Sequence, residues 1–196
     1  MINNLVDDLI TRHPILLSCK NDILLFCKVL IECFKNGGKV LVCGNGGSSA
    51  DAGHIVGELM KSFRKPRPTS VHEKLQLPLR AIDLTAQNTL VTAIANDIGA
   101  EHVFSQQVLG YADKDDVFIG ISTTGNSSNV NNAAELANKL GAISIGLTGG
   151  DGGELKNICN ITVCVQENET YRVQEEHLAI YHTVCMVVEE EIFRES

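Results

Sequence analysis

Two stretches of this chain carry residues whose types and spacing can do chemistry. The first is CGNGGSSADAGHIVGE, from Cys43 to Glu58. Gly44, Asn45, Gly46, Gly47, Ser48 and Ser49 make a turn rich in glycine and hydroxyl at the end of the apolar run KVLVCG. Glycines let backbone N–H groups approach an anion, and a helix that follows offers its positive end. The same residues also suit a plain tight turn capped by Ser48 or Ser49. His54 and Glu58 follow at i and i+4, so on a helix they share one face. They are either a solvated pair or a pair facing the same cleft as the loop. In a cleft, a glutamate can remove a proton next to a carbonyl.

The second stretch is Ser122, Thr123, Thr124, Gly125, Asn126, Ser127 and Ser128. Five of these seven residues carry a hydroxyl, more than one helix cap uses. Hydroxyls, backbone amides and a helix dipole together can hold a phosphate without a lysine. Nucleotide binding is not favoured. The first loop has no G-x-x-x-x-G-K-[ST] pattern, and Ser49 stands where G-x-G-x-x-G needs its last glycine. No acidic residue ends the next strand at the customary distance either. Further polar candidates are Gln174, His177 and His182 in YRVQEEHLAIYHTVCMVVEEE, and Asn96-Asp97, which also reads as an ordinary turn.

The elements that must position these residues alternate. Short apolar runs at 39–44, 79–84, 116–122, 142–148 and 160–165 read as buried parallel strands. Helical patterns separate them at 49–62, 87–95, 101–110, 127–140 and 153–158, and a long helix fits 171–194. The N-terminal region is helical, with Ile23, Phe26, Leu30 and Phe34 on one face and Gly37-Gly38 as its stop. Strand and helix in alternation predict a parallel sheet covered on both sides, with ligands beyond the carboxyl ends of the strands. The segment 63–79 holds three of the four prolines and reads as a surface loop that could act as a lid.

The chain's 196 residues predict one domain, 1–196. A net charge of −8 argues against broad nucleic-acid binding, and the basic run KSFRKPR is too short to reverse it. No apolar stretch approaches the roughly 18 residues of a membrane span. The first residues show no signal-peptide pattern, so a cytoplasmic protein is expected, with its seven cysteines reduced.

Taken in order, CGNGGS, Asp51, His54 and Glu58, then Asn96-Asp97, GISTTGNS and QEEHLAIYH resemble the sugar isomerase (SIS) domain family, and within it the phosphoheptose isomerases. The resemblance covers essentially the whole chain. It implies a three-layer αβα sandwich on a five-stranded parallel sheet. It also implies a homotetramer with active sites at subunit contacts, in which the N-terminal segment 1–36 serves oligomer packing. The reaction it implies is the interconversion of sedoheptulose 7-phosphate and D-glycero-D-manno-heptose 7-phosphate. Ser122, Thr123, Thr124 and Ser127 would bind the phosphate. Asn45, Gly46, Gly47 and Ser48, with Asn96, Asp97, Glu58 and Gln174, would line the sugar site. Glu58 and His182 would be the acid/base pair, and His54, Glu58, Gln174 and His182 would match the ligands of one zinc ion per subunit.

Two features pull against this set. Glu58 bound to a metal is a poorer base. Gln174 and His182 are eight residues apart, about 12 Å along an ideal helix. The chain also departs from the enterobacterial pattern. Ser62 stands in place of an arginine, for which Arg64 or Arg67 could substitute. Tyr171 stands in place of an acid and Thr124 in place of a serine, and the TSVHEKLQLP stretch is longer. The alternatives are an isomerase for another sugar phosphate, or a non-catalytic SIS module that binds a phosphosugar or the replication initiator protein.

Overall fold

The computed structural model describes residues 2–66 and 78–194. Its strands are β1 (Val40–Gly44), β2 (Ala81–Asp83), β3 (Val117–Ile121), β4 (Ile143–Gly149) and β5 (Ile161–Val165). All pair in parallel, in the order β2-β1-β3-β4-β5. The helices are α1 (Ile2–Arg12), α2 (Lys20–Lys35), α3 (Gly47–Lys61), α4 (Asn88–Asp97), α5 (Ser105–Tyr111), α6 (Ser128–Leu140), α7 (Leu155–Ile158) and α8 (Thr170–Ile192). Among the described residues no helix is long and apolar enough to cross a membrane.

Two-sided cover explains why the strands lack polar alternation. Val40, Val42, Ile119 and Ile145 face a core shared with Phe26 and Leu30 of α2, Ile55 and Leu59 of α3, and Val184 and Val188 of α8. Leu41, Cys43 and Phe118 face the opposite core, closed by Val108 of α5 and Val130, Ala134 and Ala137 of α6. The result is the expected three-layer αβα sandwich. The N-terminal segment is part of it, since Val6, Leu9, Ile23 and Phe26 are buried in the chain's own core.

Three boundaries differ from the sequence reading. The helix after β1 begins at Gly47, with Gly46 as its N-cap at a positive φ of 57°. The strand expected over 79–84 is an edge strand that keeps only three rungs with β1. The helix expected over 101–110 is split, with a 3₁₀ turn at Ala100–His102 before α5, where Val103 and Phe104 turn into the core. Most of the stretch proposed as a lid, and Arg67 within it, lies outside the described residues.

His177, on α8, is fully buried. Its Nε2–H donates to the Thr148 carbonyl at 3.3 Å, and its Nδ1 has no partner among the described residues. Burial pulls its pKa from 6.5 down to about 4, against the smaller opposing effect of the Thr148 bond. Between those values the unfolded chain binds more protons than the folded one. Stability is therefore full above pH 6.5 and falls as pH drops toward 4. This group should cost about 3 kcal/mol across the window. Urea midpoints measured across it should fall, and His177→Gln should flatten that slope.

Candidate active site

β1 and β3 are neighbours in the sheet, but the helices that follow them lie on opposite faces. Their loops therefore diverge and leave a crevice at the topological switch point. Asn45, Gly46, Gly47 and Ser48 line one side and Ser122, Thr123 and Ser127 the other, with Thr170 and Gln174 of α8 closing it. The crevice measures about 310 Å³, enough for a small polar ligand. α3, α6 and α8 all begin at its rim, at Gly47, Ser128 and Thr170. Three helix N-termini thus supply partial positive charge where no lysine or arginine among the described residues lines the wall. A site of this kind suits an anion held by N–H and O–H donors.

Local contacts hold the two loops in place. Ser122 Oγ donates to Ser127 Oγ at 3.0 Å, across a turn in which the Gly125 N–H donates to the Ser122 carbonyl at 2.9 Å. Asn45 and Asn129 exchange side-chain amide bonds of 2.9 and 3.0 Å, tying the first loop to the start of α6. The Gln174 amide lies directly over Gly47, where a β-carbon would collide with it. A side chain at 47 would push the Gln174 amide from this place.

α3 and α8 continue from the crevice side by side, and the second cluster sits along their contact. His54 Nε2 lies 3.2 Å from Glu58 Oε1 and 3.3 Å from His182 Nε2. His54 Nδ1 lies 2.9 Å from the Tyr181 hydroxyl. Burial first, and then the neighbouring His54, lower the pKa of His182, with Glu58 working against them. The Phe63 ring lies 5.4 Å from His182. It is held there by Glu189, a buried carboxylate of α8 that accepts the N–H groups of Phe63, Arg64 and Lys65 at 2.7–3.0 Å. Ser62, just before this turn, has a positive φ of 109°.

The expected site residues divide accordingly. Asn45, Gly46, Gly47, Ser48, Ser122, Thr123, Ser127 and Gln174 meet at the crevice. His54, Glu58 and His182 meet along α3 and α8. Thr124 does not line the crevice. It turns to the far side of its loop, where it lines a neighbouring cavity with Asn126, Asp151 and Glu167, and its Oγ1 accepts the Asn126 N–H. Asn96 and Asp97 end α4, are exposed, and bond to each other at 2.7 Å, away from the crevice of their own chain. Arg64 points its guanidinium at Met186 Sδ, 3.6 Å away.

Zinc accepts two imidazoles and a carboxylate as ligands, and His54, Glu58 and His182 are of those types. Gln174, however, stays at Gly47, as its helical spacing from His182 requires. No group of three or more His, Cys, Asp or Glu among the described residues is set out as a metal cage. Sequence reasoning gave no role to Thr170, Asn129 and Tyr181, and noted Asp51 only as part of the motif. A helix-start position flags Thr170, whereas nothing local marks Asn129 or Tyr181.

Comparison with known proteins agrees with this geometry. A family model described as SIS domain matches residues 15–149. The phosphoheptose isomerase of Aneurinibacillus thermoaerophilus is 45% identical over 164 residues, 84% of this chain and 78% of the relative. That of Trichlorobacter lovleyi is 46% identical over 164 residues, 84% and 79% of the two chains. The structure of a phosphoheptose isomerase from Francisella tularensis superposes with a TM-score of 0.81 at 33% identity, covering 96% of each chain. The one from Neisseria gonorrhoeae gives 0.78 at 35% identity, covering 87% of this chain and 86% of that one.

Proposed function

The chain belongs to the SIS-domain family, in its phosphoheptose isomerase branch, and from that premise we propose that it is a sugar-phosphate isomerase that interconverts sedoheptulose 7-phosphate and D-glycero-D-manno-heptose 7-phosphate. Two features on the same pair of helices carry this reading. α3 and α8 begin at a crevice that no described lysine or arginine lines, and farther along they bring Glu58, His54 and His182 together.

The phosphate is held by Ser122, Thr123 and Ser127, with Thr170 from α8. Asn45, Gly46, Gly47, Ser48 and Gln174 border the sugar. Glu58 removes the proton from C1 of the ketose, and that C–H pair becomes the C1=C2 bond of an enediol. The C2 carbonyl oxygen takes its proton from His182. Return of the proton from Glu58 to C2, with loss of the C1 hydroxyl proton to His182, completes the aldose. A neutral histidine is suited to both directions. Where zinc is bound, His54, Glu58 and His182 would hold it, and it would polarise the sugar carbonyl. In a homotetramer, Asn96 and Asp97 serve a neighbouring subunit's site. Their exposure, with that of Leu17 and Leu25 in the N-terminal segment, supports this arrangement.

The test is incubation of purified protein with sedoheptulose 7-phosphate, with and without zinc, beside a panel including fructose 6-phosphate. Aldose formation from the heptose is expected. Turnover of another member alone would move the substrate. Binding without turnover of any member would sink the isomerase reading in favour of a phosphosugar-binding module.

A further inference from the structure

Three aromatic rings surround the His182 imidazole. His54 meets it edge-on with ring centres 4.8 Å apart, and Tyr181 does so at 5.1 Å. The third ring, Phe63, lies 5.4 Å away, tilted by 38°. Phe63 belongs to neither α3 nor α8. α3 ends at Lys61, and Ser62 then takes a φ of 109°, a conformation that side chains adopt only when their surroundings hold them there. Glu189 supplies that hold. It is 1% exposed. Its Oε1 accepts the Phe63 N–H at 2.8 Å, and its Oε2 accepts the N–H groups of Arg64 and Lys65 at 2.7 and 3.0 Å. Burying a carboxylate is costly unless it is hydrogen-bonded, and here the donors that offset the cost are the backbone of one short turn. His182, Met186 and Glu189 follow at i, i+4 and i+7, so they share one face of α8. The turn runs along this face, with Phe63 at His182, Arg64 at Met186 and the backbone on Glu189.

We infer that Glu189 is a positioning residue for the acid/base cluster, acting through Phe63, whose ring it holds against the His182 imidazole; this rests on the isomerase reading above. The imidazole must meet two sugar oxygens in turn, and a misplacement of about 1 Å can cost about 100-fold in rate. His54 and Tyr181 restrain the ring from α3 and α8, and Phe63 adds a third wall from the turn. A phenyl group serves as that wall without drawing a hydrogen bond from either imidazole nitrogen. Glutamine cannot replace Glu189 here. It has one acceptor oxygen, and its NH₂ would face a backbone N–H.

The chain has no tryptophan, so Phe63→Trp installs a single fluorescent ring at this place. Adding Glu189→Gln should move its emission to the red and raise its quenching by acrylamide, as the ring swings into water. In the parent chain, Glu189→Gln should lower kcat about 10-fold while KM stays within about 2-fold. Phe63→Leu should do the same, and Phe63→Tyr, which keeps the ring, should not. Glu189→Gln added to Phe63→Leu should slow the enzyme no further, because the ring it acts through is already gone. If Glu189→Gln does not fold, the shorter Glu189→Asp takes its place in every arm. The inference is overturned by a Glu189 variant with a lower thermal midpoint but unchanged kcat and emission. Full kcat in Phe63→Leu, or losses that multiply in the double variant, overturns it equally. The fluorescence arm needs no turnover, so an inactive wild type with the emission shift intact sinks the isomerase reading alone.

Discussion

Glu58→Gln is expected to lower kcat on sedoheptulose 7-phosphate by about a thousandfold while leaving substrate affinity within about threefold. The substitution keeps the side chain's length and shape. A glutamine can still meet His54 Nε2, which the carboxylate approaches at 3.2 Å, but it cannot take a proton from carbon. Glu58 also does not line the crevice that would hold the phosphate, so the binding interactions there persist. A positioned general base contributes roughly 10² to 10⁴ in rate, and the upper part of that range applies where no other carboxylate shares the role. Stopped-time assays of aldose formation give kcat, and calorimetry with the ketose gives Kd. A variant that keeps a tenth of its kcat removes Glu58 from the proton transfer. One that loses affinity and rate alike makes it a sugar contact instead.

Gly125→Ala should do the reverse. Gly125 has φ of +69°, and a β-carbon there would run into the backbone of Gly152. Its carbonyl accepts the Leu155 N–H at 2.9 Å and the Asn131 amide at 3.3 Å, so the loop cannot simply swing away. A left-handed residue with a side chain costs about 1–2 kcal/mol, and overpacking against fixed backbone about 1–3 more. The expected loss is therefore about 2–5 kcal/mol, read as a lowered thermal midpoint. The strain falls between Ser122 and Ser127, whose hydroxyls are 3.0 Å apart across this turn. KM for the sugar phosphate should rise about 10-fold or more with a smaller change in kcat, the sign of lost binding shared by ground and transition states. An unchanged KM would move the phosphate away from this loop.

The two variants probe parts of the site that differ in how far they could be read from the sequence. The crevice was largely legible. Its loops are turn chemistry at strand ends, and the rule for open α/β sheets says where such loops meet. Thr124 shows the limit. It sits among the hydroxyls of one loop, yet the backbone turn at Gly125 sends it to the other side. The acid/base cluster was half legible. The i, i+4 spacing put His54 and Glu58 on one face, but nothing in it told that His182 would meet them, 128 residues away from His54.

By itself, the sequence determined the order and kind of the elements, the two glycine- and hydroxyl-rich junctions, and the shared face of His54 and Glu58. Each depends on residues within a turn or two of one another, through periodicity, caps and backbone freedom. Tertiary structure alone decided the strand order that makes the two junctions neighbours. It set the side-by-side course of α3 and α8, which pairs Gly47 with Gln174 and His54 with His182. It also decided that Tyr181 and Asp51 stand behind His54. Those contacts follow from how two amphipathic helices pack on one sheet. Such packing sums many weak apolar interactions spread over the whole chain, and no local pattern encodes its outcome.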